Sequence, residues 1–228
     1  MWEDMMLATR SLARIAARTA ILFAALAITL VALPGAGTAQ TVIDEWASAK
    51  LPPPPTLKQA KADAEKTVLL IMDMTNQTCT EKRRPRCVAA IPKVQKLLAL
   101  ARKDGVMVMF SVAGGNAKDG KDVVKELAPQ NGETVLPPLG PDKFIGSKLQ
   151  ETLKDKGITT IIAIGTQAQT SVLHTAGEAA LRGFNVIVPV DGATADDVFP
   201  ELYTAWHLST AARIAPKVTL TRMDMISF

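Results

Sequence analysis

IIAIGTQAQTSVLHTA, residues 161–176, sets four apolar residues before Gly165, a short polar segment after it, and a helix start near Ser171. A short apolar run closed by glycine reads as a strand buried on both faces. Strand, glycine turn and helix start together make a place where chemistry is often done. Unpaired N–H groups and the positive end of the dipole favour developing anions there. Ser171 is therefore a nucleophile, the remnant of one, or only a residue that starts a helix.

Working outward, the same alternation recurs. TVLLIMD (67–73) is another continuous apolar run, and residues 87–105 carry apolar positions at helical spacing that stop at Asp104-Gly105. VMVMFS (106–111) predicts a strand, GGNAKDG a loop, residues 122–128 a short helix, and residues 143–157 an amphipathic helix ending in glycine. Residues 159–165 and 185–192 predict strands, with a helix over 171–183 between them. A helix interrupted by Pro200 and a last strand at 217–221 follow. Strands alternating with helices imply an α/β fold of three layers, α/β/α, around a mainly parallel sheet. Ligands in such folds bind beyond the carboxyl ends of the strands, which singles out Asp73, Ser111, Gly165 and Asp191. No GxGxxG follows the first strand, and no Walker or G-x-S-x-G sequence occurs.

The first forty residues stand apart. Arg10, Arg14 and Arg18 precede an apolar run that closes on small residues, the layout of a secretory signal peptide over residues 1–39. An uncleaved anchor is the alternative, but Leu33-Pro34-Gly35 breaks the run short of a comfortable span. Cleavage would remove three arginines and two acids, lowering the net charge from +4 to +3 and leaving no stable membrane anchor. Residues 40–66, polar with four consecutive prolines, read as an extended arm, and residues 67–228 as the folded domain. With only 4% aromatic residues and no basic run interleaved with them, nucleic acid is a poor partner. EKRRPRC (81–87) reads as a solvated loop. Cys79 and Cys87, the only two cysteines, bracket that loop and predict a disulfide in an exported protein, periplasmic or secreted. The only two histidines lie far off in sequence, so a metal site and other cofactors are not expected.

Three ordered segments resemble the isochorismatase-like cysteine hydrolases, the superfamily of isochorismatases, nicotinamidases and N-carbamoylsarcosine amidases. LLIMDMTNQ resembles the opening strand that ends in the catalytic aspartate, here Asp73. GPDKFIGSKLQETLKDKGI resembles the segment of the catalytic lysine, here Lys143. GTQAQTSVLHTAGEAALRGFNVIVPVDGATA resembles the nucleophile segment, with Ser171 at the usual cysteine. The resemblance implies a Rossmann-like three-layer fold and a strained, often cis, peptide at Thr166-Gln167. The amides there, at Gln167 and with the Ser171 N–H, would form an oxyanion site. Metal-dependent nicotinamidases carry an Asp-and-histidine cluster after the second strand, whereas SVAGGNAKDGKDVV has no histidine. The family's Gln-Asn-Asp after the aspartate appears as Thr75-Asn76-Gln77.

A cysteine at a helix N-terminus readily becomes a thiolate, whereas a serine hydroxyl needs a dedicated base. His174, three residues on, would point poorly at Ser171 Oγ. The favoured expectation is an exported hydrolase of a small molecule (amide, carbamate or enol ether) using an Asp73/Lys143 acid–base pair without a cysteine nucleophile. Ser171 then contributes a hydrogen bond. The alternatives are a non-catalytic small-molecule-binding or interaction protein on the same scaffold, and a serine amidase. Substrate identity and homo-oligomer formation stay open.

Overall fold

The computed structural model describes residues 41–113 and 117–228, so the expected signal peptide lies outside the described residues. The chain divides into a unit ending at Leu51 and a unit from Pro52 to Phe228. In the first, Val42–Glu45 forms a single helical turn within the arm expected to be extended, held by reciprocal hydrogen bonds between Thr41 and Asp44.

The second unit contains strands β1 (Ala60–Lys61), β2 (Thr67–Met72), β3 (Met107–Ser111), β4 (Thr134–Leu136), β5 (Thr160–Thr166), β6 (Asn185–Pro189), β7 (Ala193–Thr194), β8 (Val218–Thr221) and β9 (Ile226–Ser227). Its α-helices are α1 (Pro85–Lys103), α2 (Leu149–Asp155), α3 (Leu173–Leu181) and α4 (Val198–Thr210). All six residues of β2 are buried. Because strand side chains alternate between faces, Leu69 and Ile71 enter one core, with Phe110, Ile164 and the α1 residues Val94 and Leu98. Val68, Leu70 and Met72 enter the other, with Ile161, Leu149 and Leu153 of α2, Ala176 of α3 and Leu208 of α4. Met74 and Met109 are also buried, as core-filling methionines should be. The fold is thus a three-layer α/β/α arrangement around a parallel sheet.

The main sheet runs β4-β3-β2-β5-β6-β8, every pairing parallel, with β7 against the end of β5. From β2 the chain builds outward through β3 to β4. From β5 it builds the other way, through β6 to β8. The direction reverses between β2 and β5, and the crevice such a reversal opens lies at their carboxyl ends. Met72 pairs with Ser111 on one side and Gly165 on the other, which brings three of the strand ends singled out in the sequence to one level.

Several elements differ from expectation for local reasons. Residues 122–128 form no α-helix. Val123 bridges to Thr75 and Val124 N–H donates to Met74 O (3.1 Å), so their backbone bonds serve the loop after Asp73. The helix expected from residue 143 begins only at Leu149. Gly146 has φ +71°, and Ser147 Oγ donates to Lys143 O (2.6 Å), fixing residues 143–148 as turns. Pro200 does not interrupt α4. It is the third residue of that helix, where a backbone N–H has no carbonyl to reach. Residues 58–62 are stitched to the C-terminal segment: Lys58 N–H donates to Leu220 O (2.9 Å), and β1 pairs in parallel with β9.

Candidate active site

Asp73 follows β2 directly and has φ +59°, a left-handed conformation that aspartate tolerates better than most side chains. Such backbone costs on the order of 1–3 kcal/mol. Full burial of Leu69, Leu70 and Ile71 just before it contributes roughly 1.5–3 kcal/mol each, so the strand carries the turn. The turn is fastened by Asp73 N–H donating to Ser111 O (3.0 Å), and Asp73 O accepts from Thr75 N–H (3.0 Å) and from the Thr78 hydroxyl. The carboxylate is thereby aimed into the crevice, only 2% exposed.

Across the crevice, Gly165 has φ +149°, and a Cβ there would lie 2.2 Å from Met72 O. Only glycine fits where β5 passes the end of β2. The next peptide, Thr166–Gln167, is cis. Ala168–Val172 then form a π-helical turn that runs into α3 and carries Ser171, itself buried. A local π-turn of this kind recurs at functional sites.

Lys143 reaches the same point from the turns before α2. Its backbone N–H donates to Thr175 Oγ1 (3.1 Å), whose hydroxyl donates to Pro141 O (3.3 Å), so the residue after His174 fixes the lysine segment. The ammonium, 1% exposed, donates to Asp73 Oδ2 (2.8 Å) and to Gly140 O (3.1 Å). Ser171 Oγ donates to the same Oδ2, and Ser111 Oγ donates to Oδ1 (2.7 Å). The structure therefore brings Asp73, Lys143 and Ser171 together. Ser111, singled out only as a strand end, joins them. His174 is exposed and has no part in the cluster. A buried ion pair with its remaining lone pairs and protons satisfied is the form in which charge is tolerated inside a protein.

The site opens into a cavity of about 180 Å³ lined by Asp73, Thr78, Arg83, Arg84, Gln167 and Ser171, among others. The basic segment 81–87, expected as a solvated loop, opens α1 with its last three residues and is not simply solvated. Arg84 is 5% exposed, with Nε donating to Asp196 Oδ1 (2.6 Å) and Nη1 to Thr78 O (3.2 Å). The Gln167 side-chain amide donates to the other oxygen of Asp196 (2.8 Å). Sequence reasoning missed this Arg84–Asp196–Gln167 bridge, because an arginine in a charged loop and an aspartate 112 residues away give no local signal. Cys79 and Cys87 are joined by a disulfide that closes the loop. Asp191 does not reach this site. It accepts from Met223 N–H (2.9 Å) and Lys93 Nζ (3.2 Å) at the end of β6. Among the described residues no group of three or more His, Cys, Asp or Glu side chains is placed to hold a metal ion.

Comparison with known proteins bears on the fold and the family. A secreted isochorismatase effector, Isc1, of Verticillium dahliae is 28% identical over 146 residues, covering 60% of this chain and 77% of its own. An isochorismatase-like hydrolase of Alkaliphilus metalliredigens is 25% identical, with a TM-score of 0.62 over 70% of this chain and 95% of its own. The N-carbamoylsarcosine amidase of Thermoplasma acidophilum, at 24% identity, shares the fold with a TM-score of 0.59 over 70% of this chain and 97% of its own. The isochorismatase domain model matches residues 67–220, well over half of the sequence, and the chain belongs to the isochorismatase family.

Proposed function

We propose that the chain is an exported isochorismatase-family hydrolase of a small amide, carbamate or enol ether, working through Asp73 and Lys143 without a cysteine nucleophile. The observation that carries this reading is the convergence of three donors (Lys143 Nζ, Ser111 Oγ and Ser171 Oγ) on one buried carboxylate facing a cavity. With an amide or carbamate, Asp73 takes a proton from water as the water oxygen bonds to the carbonyl carbon. The same proton passes to the leaving nitrogen as the carbon–nitrogen bond breaks. The backbone amides of Gln167 and Ser171 are the groups for the developing oxyanion. With an enol ether, the Asp73 carboxylic acid protonates carbon, water adds to the resulting oxocarbenium ion, and the water's proton returns to Asp73. The hemiketal then collapses to a carbonyl, its hydroxyl proton passing to the leaving alcohol oxygen as that carbon–oxygen bond breaks. Lys143 holds the proton balance. Ser171 supplies a hydrogen bond, since its hydroxyl proton is directed at Asp73 and no histidine attends it.

Turnover of a small-molecule hydrolase panel by wild type and by Asp73→Asn protein tests this, with loss of at least about a hundredfold expected for a general acid–base group. A second reading, a non-catalytic small-molecule binder, is favoured by the engagement of both Asp73 oxygens by donors from the protein itself, two on Oδ2 and one on Oδ1. Ligand binding by wild type without turnover would favour that second reading, and a rate unchanged in Asp73→Asn protein would remove Asp73 from the mechanism. Export rests on the layout of residues 1–39, in keeping with the secreted relative. Mass spectrometry of periplasmic and external fractions should find a mature start near Gln40, and full-length chain confined to the cytosol would refute it.

A further inference from the structure

We infer that Arg83 is the specificity-determining residue of this crevice and selects small molecules that carry a single carboxylate. The inference rests on the crevice being the binding site proposed above, and it adds the class of ligand. Charge decides it. The Asp73 carboxylate is matched by the Lys143 ammonium at 2.8 Å, and the Arg84 guanidinium by Asp196 at 2.6 Å. Both pairs are closed within the protein. Arg83 also lines the cavity, is exposed, and donates through Nη1 to the carbonyl of Gln77 (3.2 Å). Among the described residues it forms no ion pair, so the cavity carries one uncompensated positive charge.

A guanidinium has five N–H donors in a planar fork, and one carbonyl leaves most of them for a ligand. A carboxylate is the anion whose two oxygens match that fork. Arg84 beside it cannot swing to take the same role, because Asp196 and Thr78 O hold it on two sides. The disulfide from Cys79 to Cys87 spans both arginines and fixes where the loop presents them. Size narrows the class further. At about 180 Å³ the cavity is smaller than the roughly 300–1,000 Å³ of sites for drug-sized ligands. The ligand is therefore a small acid, with its carboxylate at Arg83 and its reacting bond toward Asp73 and Ser171.

Two matched probe pairs test this by calorimetry or ligand-observed NMR: benzoate with benzamide, and propionate with propionamide. Wild type should bind each acid about five- to tenfold more tightly than its amide, a preference that shrinks in high salt because Arg83 is exposed. Arg83→Gln should bring the ratio close to one, while Arg83→Lys should restore part of it. Arg83 is a surface residue, so neither variant threatens folding. Equal affinity of wild type for acid and amide, failure of both acids to bind, or a preference that survives in Arg83→Gln would each overturn the inference. Hydrolysis is read separately. An Arg83-dependent preference without turnover removes only the hydrolase reading, and Asp73-dependent turnover without the preference removes only this inference.

Discussion

The Lys143 ammonium lies 2.8 Å from the Asp73 carboxylate, although the two residues are 70 positions apart and their side chains are 1% and 3% exposed. Removing either partner leaves the other charge buried and unpaired. Lys143→Met and Asp73→Asn should each lower stability by about 3–5 kcal/mol in urea titrations. The double variant should recover much of that loss, because the two sites couple and the stranded charge is gone. Strictly additive losses would show that the pair is not the interaction holding these groups.

Ser171 offers a separate test. Ser171→Ala removes one donor to a carboxylate that keeps two others, so the stability cost should be about 1–2 kcal/mol. If the hydroxyl acts only as a hydrogen-bond donor, hydrolysis should fall roughly tenfold and remain measurable. Abolished turnover together with a covalent serine adduct on treatment with an acyl-phosphonate would instead make Ser171 the nucleophile.

The Cys79–Cys87 disulfide closes a loop of eight residue steps, for which the chain-entropy relation gives about 2.5 kcal/mol. Replacing both cysteines with serine should lower the unfolding free energy by that amount. Thiol counting on the denatured, unreduced wild type should find no free thiol. Since Thr78 directly precedes the loop, Arg83 and Arg84 lie within it, and all three line the cavity, ligand affinity should fall in the variant even under conditions where it stays folded.

Asp142, next to the catalytic lysine candidate, gives a pH signature. Burial pushes its carboxyl above the ordinary range and nearby Glu178 adds to the shift, while the Phe144 N–H (2.8 Å) and Arg182 oppose it. A carboxyl raised on folding binds its proton more tightly in the native state. Its contribution to stability therefore falls as pH rises from the ordinary carboxylate value through the raised one. Asp142→Asn keeps an acceptor for Phe144 N–H and cannot ionise. It should be slightly more stable than wild type at pH 7, by under about 0.5 kcal/mol at this half-exposed position. The difference should shrink as pH falls through the raised value and vanish once pH is well below the ordinary carboxylate value of about 3.9. Thermal unfolding at pH 7 and in that acid range reads both effects.

What could be read in advance follows from burial and length. β2 and β5 announce themselves because strands covered on both faces are continuous apolar runs. Asp73, Gly165 and Ser171 are legible because they sit at the ends of such runs. β4 is not legible because three residues, Thr134–Leu136, followed by two prolines are too few to show a period. β1 and β9 have two residues each and exist only through each other. Lys143 is legible through its surrounding motif, but its placement as a turn residue depends on Ser147 and Thr175, which no helical periodicity reports. The Arg84–Asp196–Gln167 bridge joins side chains that each look like ordinary surface residues. Its signal is purely spatial.

The reversal between β2 and β5 has a consequence for any attempt to divide the molecule. Asp73 and Ser111 belong to the segment that ends with β4, Ser171 to the segment that begins with β5, and the exposed turn at Gly157 lies between them. A cut at that turn yields two fragments, each exposing an apolar strand that was flanked on both sides in the whole sheet. Neither fragment holds a complete site. Recovery of ligand binding on mixing would report that β2 and β5 had re-formed their shared edge, which makes the crevice a fragment-complementation reporter placed by strand order alone.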